Sequence, residues 1–122
     1  ARPDRLSAAA RAGYLAPYNS WASRVAVHRF VQDIPLRPGH PSYQTLLETE
    51  NGLADFTDRP VLLTWGERDW CFTLEFLAEF QRRFPEARTL RFPDAGHFLF
   101  EDAPDEVLAG IRRFLADFPL QA

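Results

Sequence analysis

The spacing of apolar residues changes near residue 58, and the two stretches read differently. In the first, Leu6 to Tyr14 predicts a short Ala-rich helix with a Ser cap, stopped by Gly13. From Ser20 to Val31 a second helix sets Trp21, Val25, Val27 and Phe30 mostly on one side. The run from Ile34 to Pro41 contains Pro35, Pro38 and Pro41 and reads as an extended loop. Ser42 to Leu53 then suits a helix with Tyr43, Leu46, Leu47 and Leu53 facing one core. Short helices joined by Pro-rich links bury too little to stand alone, so this stretch reads as a lid or layer packed on something else.

The second stretch alternates strand and helix. Pro60 to Trp65 is almost wholly apolar and ends at Gly66, as expected of an interior parallel strand buried on both faces. A helix follows from Thr73 to Arg83, with Phe76, Leu77, Phe80 and Phe84 inward and Pro85 as its stop. Arg88 to Phe92 alternates polar and apolar and suits a strand nearer the sheet edge. Pro104 opens a last helix to about Phe118, with Val107, Leu108, Ile111, Phe114 and Leu115 on one face and Asp105 and Glu106 at its positive end. The order implies an α/β fold with a parallel sheet and right-handed crossovers. Two such strands leave backbone edges unpaired, so further strands are expected from a preceding part of the same protein or from another chain.

Composition narrows the function classes. With 46% apolar and 25% charged residues the chain is ordinary for a globular protein, and a net charge of −3 without a basic stripe argues against nucleic acid as a partner. Cys71 is the single cysteine, which excludes an internal disulfide and fits a reducing compartment. The three histidines lie far apart in sequence, so no metal site is expected. No apolar run approaches the roughly 20 residues of a membrane span, and the first residues carry no hydrophobic signal segment, so a cytoplasmic protein is expected. The start at Ala1, with a first stretch that reads like the interior of something larger, leads us to expect a fragment.

In open α/β sheets ligands bind beyond the carboxyl ends of the strands. Both expected strands run into loops with reactive side chains: Trp65-Gly66-Glu67-Arg68-Asp69-Trp70 and Phe92-Pro93-Asp94-Ala95-Gly96-His97-Phe98. Adjacent strands lie about 4.8 Å apart, which brings Asp69 and His97 within reach of one another. A carboxylate on the imidazole Nδ1 proton would fix the tautomer and leave Nε2 as a base. The competing readings are that Asp69 caps the following helix and that His97 is an ordinary loop histidine.

The segment from Pro60 to Asp69, followed by Asp94-Ala95-Gly96-His97-Phe98-Leu99-Phe100-Glu101-Asp102-Ala103-Pro104-Asp105-Glu106-Val107, resembles the C-terminal end of the α/β-hydrolase superfamily. Within it, the likeness is to the haloalkane dehalogenase and epoxide hydrolase branch. The stretch from Tyr14-Leu15-Ala16-Pro17-Tyr18 through Arg24 and Phe30 to Ile34-Pro35 is similar to the end of that branch's helical cap. The expected division is residues 1–40 as cap end and return loop and residues 41–122 as the C-terminal core.

The resemblance implies that Asp69 is the acid and His97 the histidine of a nucleophile-histidine-acid triad. Some dehalogenases carry the acid on an earlier strand, which would make Asp69 a spectator. The superfamily nucleophile, Asp in this branch and Ser in esterases, sits on a sharp strand-to-helix turn. No Gly-x-Ser-x-Gly or Gly-x-Asp-x-Gly pattern occurs here, so the chain alone is expected to be inactive. Trp70 and Phe98 are candidates to line the pocket, and Tyr14, Tyr18 and Trp21 to face it from the cap, with ordinary packing as the rival role for all five. Glu101, Asp102 and Asp105 read as helix-capping residues. The implied substrate is a small hydrophobic organic molecule, with no cofactor. The implied partner is the N-terminal half of the hydrolase, in the same or a separate chain, or a second copy. A carboxylesterase, lactonase or carbon-carbon hydrolase on the same scaffold, and an inactive truncated fragment, are the alternatives.

Overall fold

The computed structural model describes residue 2 and residues 4–119, which form two compact units. One unit is Ser7–Leu53. It contains α1 (Ala8–Leu15), a 3-10 turn at Ala16–Tyr18, α2 (Trp21–Gln32) and α3 (Tyr43–Gly52). Ser7 caps α1 by accepting the Ala10 N–H, and Ser20 caps α2 in a reciprocal box with Ser23. Gly13 does not stop α1, which runs on to Leu15. A glycine inside a helix costs only about 1 kcal/mol, whereas Pro17, which has no N–H, marks the change to the 3-10 turn. None of these three helices buries a residue, and Trp21 and Phe30 are 85% and 77% exposed. Where the sequence places a boundary after residue 40, α3 groups with the helices before it.

The other unit, Ala1–Leu6 with Ala54–Ala122, is a β-α-β-α arrangement. A 3-10 turn at Leu53–Phe56 leads to β1 (Leu62–Gly66), α4 (Leu74–Arg83), β2 (Arg88–Phe92), the single-turn α5 (Leu99–Asp102) and α6 (Pro104–Asp117). β1 and β2 pair in parallel, Leu62 opposite Arg88 through to Gly66 opposite Phe92. A parallel pair needs a crossover, and α4 supplies it. α5 was not expected from the apolar pattern, since a single turn is too short to show a period.

Burial along β1 is uneven. Leu63 and Gly66 are buried while Leu62, Thr64 and Trp65 are half-buried, in place of the expected strand covered on both faces. Among the described residues the sheet has two strands, and burial concentrates where helices cover it. Leu77 of α4, Leu63 and Phe84 are under 10% exposed, and Ala95, Leu99 and Val107 form a second buried group, with Phe92, Ala103 and Ile111 against it. Ala95 of the loop before α5, Leu99 of α5 itself and the first turns of α6 are thus fastened to the same apolar centre. The far end of α6 is tied to β2 by Arg88, which pairs with Asp117 and lies over the rings of Phe114 and Phe118 at 6.0 and 5.6 Å. No helix among the described residues is long and apolar enough to cross a membrane.

Val107 is wholly buried, at 0% exposure. Val107→Ala should therefore lower unfolding stability by about 2 kcal/mol in a urea titration, against less than about 0.5 kcal/mol for exposed Ala109→Ser.

Candidate active site

Two loops leave the carboxyl ends of the paired strands, and a set of backbone bonds holds them together. The Glu67 N–H donates to the Phe92 carbonyl at 3.0 Å and the Arg68 N–H to the Ala95 carbonyl at 2.9 Å. This approach requires Gly66. A Cβ there would lie 2.5 Å from the Gly96 carbonyl oxygen and 2.7 Å from that of Ala95, backbone atoms that have no room to move aside. Outside this seam, Arg68 pairs with Asp94 and Arg91 with Glu67. These pairs are largely exposed and contribute little by themselves.

The seam brings Asp69 and His97 together. His97 Nδ1 stands 3.1 Å from Asp69 Oδ1 and 3.0 Å from Oδ2. An ionised carboxylate only accepts, so Nδ1 carries the proton and Nε2 is the nitrogen with a free lone pair. Asp69 Oδ1 also accepts the N–H groups of Cys71 at 2.8 Å and Phe72 at 2.9 Å. These amides belong to the turn before α4, so the carboxylate closes that turn rather than capping the helix itself, whose N-cap position is Thr73. Trp65 reinforces the turn from β1 by donating its indole N–H to the Phe72 carbonyl at 2.9 Å.

The Asp69 side chain is only 10% exposed. Burial works against its charge, but the Phe72 and Cys71 amides and His97 together outweigh it, and the carboxyl is held below its ordinary range. The ring of His97 is enclosed by aromatics: Phe72 stacks at 5.5 Å, Phe98 meets it edge-on at 5.5 Å, and Trp70 lies at 6.0 Å. Trp70 and Phe98 were singled out by their neighbours in sequence; Phe72 was not. It reaches His97 because the turn at Asp69 folds it back, and its place in an apolar-looking run before α4 gave no signal of that.

Tyr14, Tyr18 and Trp21 belong to the helical unit, where they are 53%, 39% and 85% exposed. Glu101 lies in the single turn of α5 and Asp105 in the first turn of α6. Asp102 departs from the capping role: its carboxylate accepts the N–H of Gly96 at 2.9 Å, inside the histidine loop. No group of three or more His, Cys, Asp or Glu among the described residues has the arrangement of a metal site.

Two outcomes follow from this geometry. Gly66→Ala should cost about 3 kcal/mol in denaturant titration, because the new methyl forces the two loops apart. Because the folded-state carboxyl of Asp69 is depressed, its contribution is complete above the ordinary carboxyl range and lost as pH falls through the lowered value. Asp69→Asn should therefore flatten the acid limb of a stability-against-pH curve below about pH 4, the ordinary carboxyl value, and leave its shape unchanged between about pH 5 and 6, above that value.

The chain has relatives among known proteins. Residues 5–104 match the family model of the alpha/beta hydrolase fold. The chain is 42% identical over 116 residues to a cis-3-alkyl-4-alkyloxetan-2-one decarboxylase of Xanthomonas campestris pv. campestris, covering 95% of this chain and 39% of that protein. A protein of the same name from Shewanella oneidensis is 42% identical over 107 residues, 88% of this chain and 34% of that one. Haloalkane dehalogenase 2 of Mycobacterium bovis is 37% identical over 54 residues, 43% of this chain and 19% of that protein. The chain thus spans well under half the length of the curated relatives it matches.

Proposed function

The chain belongs to the α/β-hydrolase fold family, and from that we propose that Asp69 and His97 are the acid and base of a nucleophile-histidine-acid triad whose nucleophile lies outside these 122 residues. The observation that carries the proposal is the contact of His97 Nδ1 with both oxygens of Asp69, at 3.1 and 3.0 Å. It orients the imidazole and opposes the positive charge that forms when Nε2 takes a proton.

With an Asp nucleophile, carboxylate oxygen attacks an electrophilic carbon, a carbon-oxygen bond forms, and the leaving group departs with its electron pair. For hydrolysis of the resulting ester, His97 Nε2 accepts a proton from water as the water oxygen adds to the ester carbonyl. Asp69 keeps its charge throughout, which its three donors favour.

The substrate class we propose is a small apolar molecule bearing alkyl groups at a strained carbon-oxygen ring. The long likeness to proteins named as oxetan-2-one decarboxylases favours it over a haloalkane, for which the likeness covers 43% of the chain. Loss of carbon dioxide from such a ring breaks the C4–O and C2–C3 bonds and leaves a C3–C4 double bond, so atoms and electrons balance without redox chemistry and without water; the water step above would instead open the ring to a hydroxy acid. The exposed faces of Trp70, Phe72 and Phe98 beside His97 suit alkyl substituents.

In the full-length protein that contains this segment, His97→Ala should lower turnover of a dialkyl oxetan-2-one by about a thousandfold or more. Intact-mass spectrometry of that variant with substrate should show an adduct if the nucleophile is Asp. Turnover at the unaltered rate would remove His97 from the chemistry.

A further inference from the structure

The histidine loop is held by a second carboxylate, one the chemistry above does not use. Asp102, at the end of α5, is 4% exposed. A carboxylate withdrawn from water persists only where donors meet its oxygens. Here both oxygens meet backbone: Oδ2 accepts the Gly96 N–H at 2.9 Å and Oδ1 accepts the Arg2 N–H. Gly96 immediately precedes His97 in the chain.

α5 makes this contact possible. The N–H groups of Glu101 and Asp102 both donate to the Phe98 carbonyl at 3.0 Å, which turns the chain back toward the loop. The bond from Gly96 to Asp102 then closes a ring of backbone with His97 inside it. On the other side, the Ala95 carbonyl receives the Arg68 N–H from the acid loop. The two residues before His97 are therefore gripped from opposite sides, one grip from the loop of Asp69 and the other from Asp102. The oxygens of Asp102 are taken by backbone donors and not by the imidazole, so its influence passes through the main chain.

Resting on the triad reading above, we infer that Asp102 is a positioning residue: through the Gly96 amide it fixes the backbone that aims His97 Nδ1 at Asp69. A carboxylate serving only to begin α6 would leave that aim unaffected.

The inference is tested by NMR on the full chain labelled with nitrogen-15. In the unaltered protein the Gly96 amide should be protected from solvent exchange and His97 should give a low-field Nδ1 proton resonance. Asp102→Ala should speed Gly96 exchange by about tenfold or more and remove the Nδ1 resonance, with circular dichroism unchanged. Asp102→Asn keeps one acceptor oxygen and should restore part of both signals. Arg88→Ala removes the tie to Asp117 away from the loop; it should lower stability and leave the Nδ1 resonance in place. Free exchange of Gly96 in the unaltered protein, or an Nδ1 resonance untouched in folded Asp102→Ala, overturns the inference. Should Asp102→Ala not fold, Gly96 exchange in the unaltered protein and the Asp102→Asn spectrum decide. Asp69→Asn separates the two readings: loss of the resonance there but not on altering Asp102 keeps the pair and discards the positioning role, whereas no change in Asp69→Asn discards the pair itself.

Discussion

The arrangement depends on the close passage of two loops at Gly66. The parallel register sets Gly66 opposite Phe92, the last residue of each strand, so both loops begin at the same level. From there the Glu67 and Arg68 amides reach carbonyls of the second loop, and the absent side chain at Gly66 leaves the space in which the Ala95 and Gly96 carbonyls sit. Backbone hydrogen bonds made at this range resist sliding better than paired side chains, because no rotatable bond lies between donor and chain. The acid and the histidine inherit that register.

Within it, the two titratable groups are treated unequally. Asp69 is buried and surrounded by donors, which keeps it charged; His97 is only partly buried, with three aromatic rings around it and one nitrogen committed to the carboxylate. Such an environment holds a fixed negative charge against Nδ1 and leaves Nε2 on the open side of the ring, the arrangement that the proposed acid and base roles require. The aromatic rings limit water around the imidazole and leave an apolar margin.

Much of this was legible in the chain because the elements bearing the pair announce themselves. A dense apolar run ending in glycine, an alternating run, and a loop of reactive side chains after each are local signals, and the motifs around Asp69 and His97 carried the likeness to the α/β-hydrolase fold and to its haloalkane dehalogenase branch. What escaped reading depended on where the chain returns in space. Phe72 reaches the imidazole through a turn closed by a side chain three residues earlier. Asp102 looked like a cap because acids cluster before α6, yet its partner is set by the single turn of α5, which has no periodic signature. β1 read as buried on both faces from its composition alone, and composition does not say which neighbours cover a strand. Gly13 failed as a stop because permissiveness at one position is weaker than a missing amide four residues on.

The seam between the loops is made of main-chain groups, which every residue but proline possesses. Apart from Gly66, where a side chain has no room, its register is consequently indifferent to the side chains that project from it. The apolar margin around the imidazole can therefore change while Asp69 and His97 stay in register. Conservation of Gly66 across chemically divergent descendants, with variation at positions 70, 72 and 98, is the evolutionary trace such a hinge between scaffold and chemistry would leave.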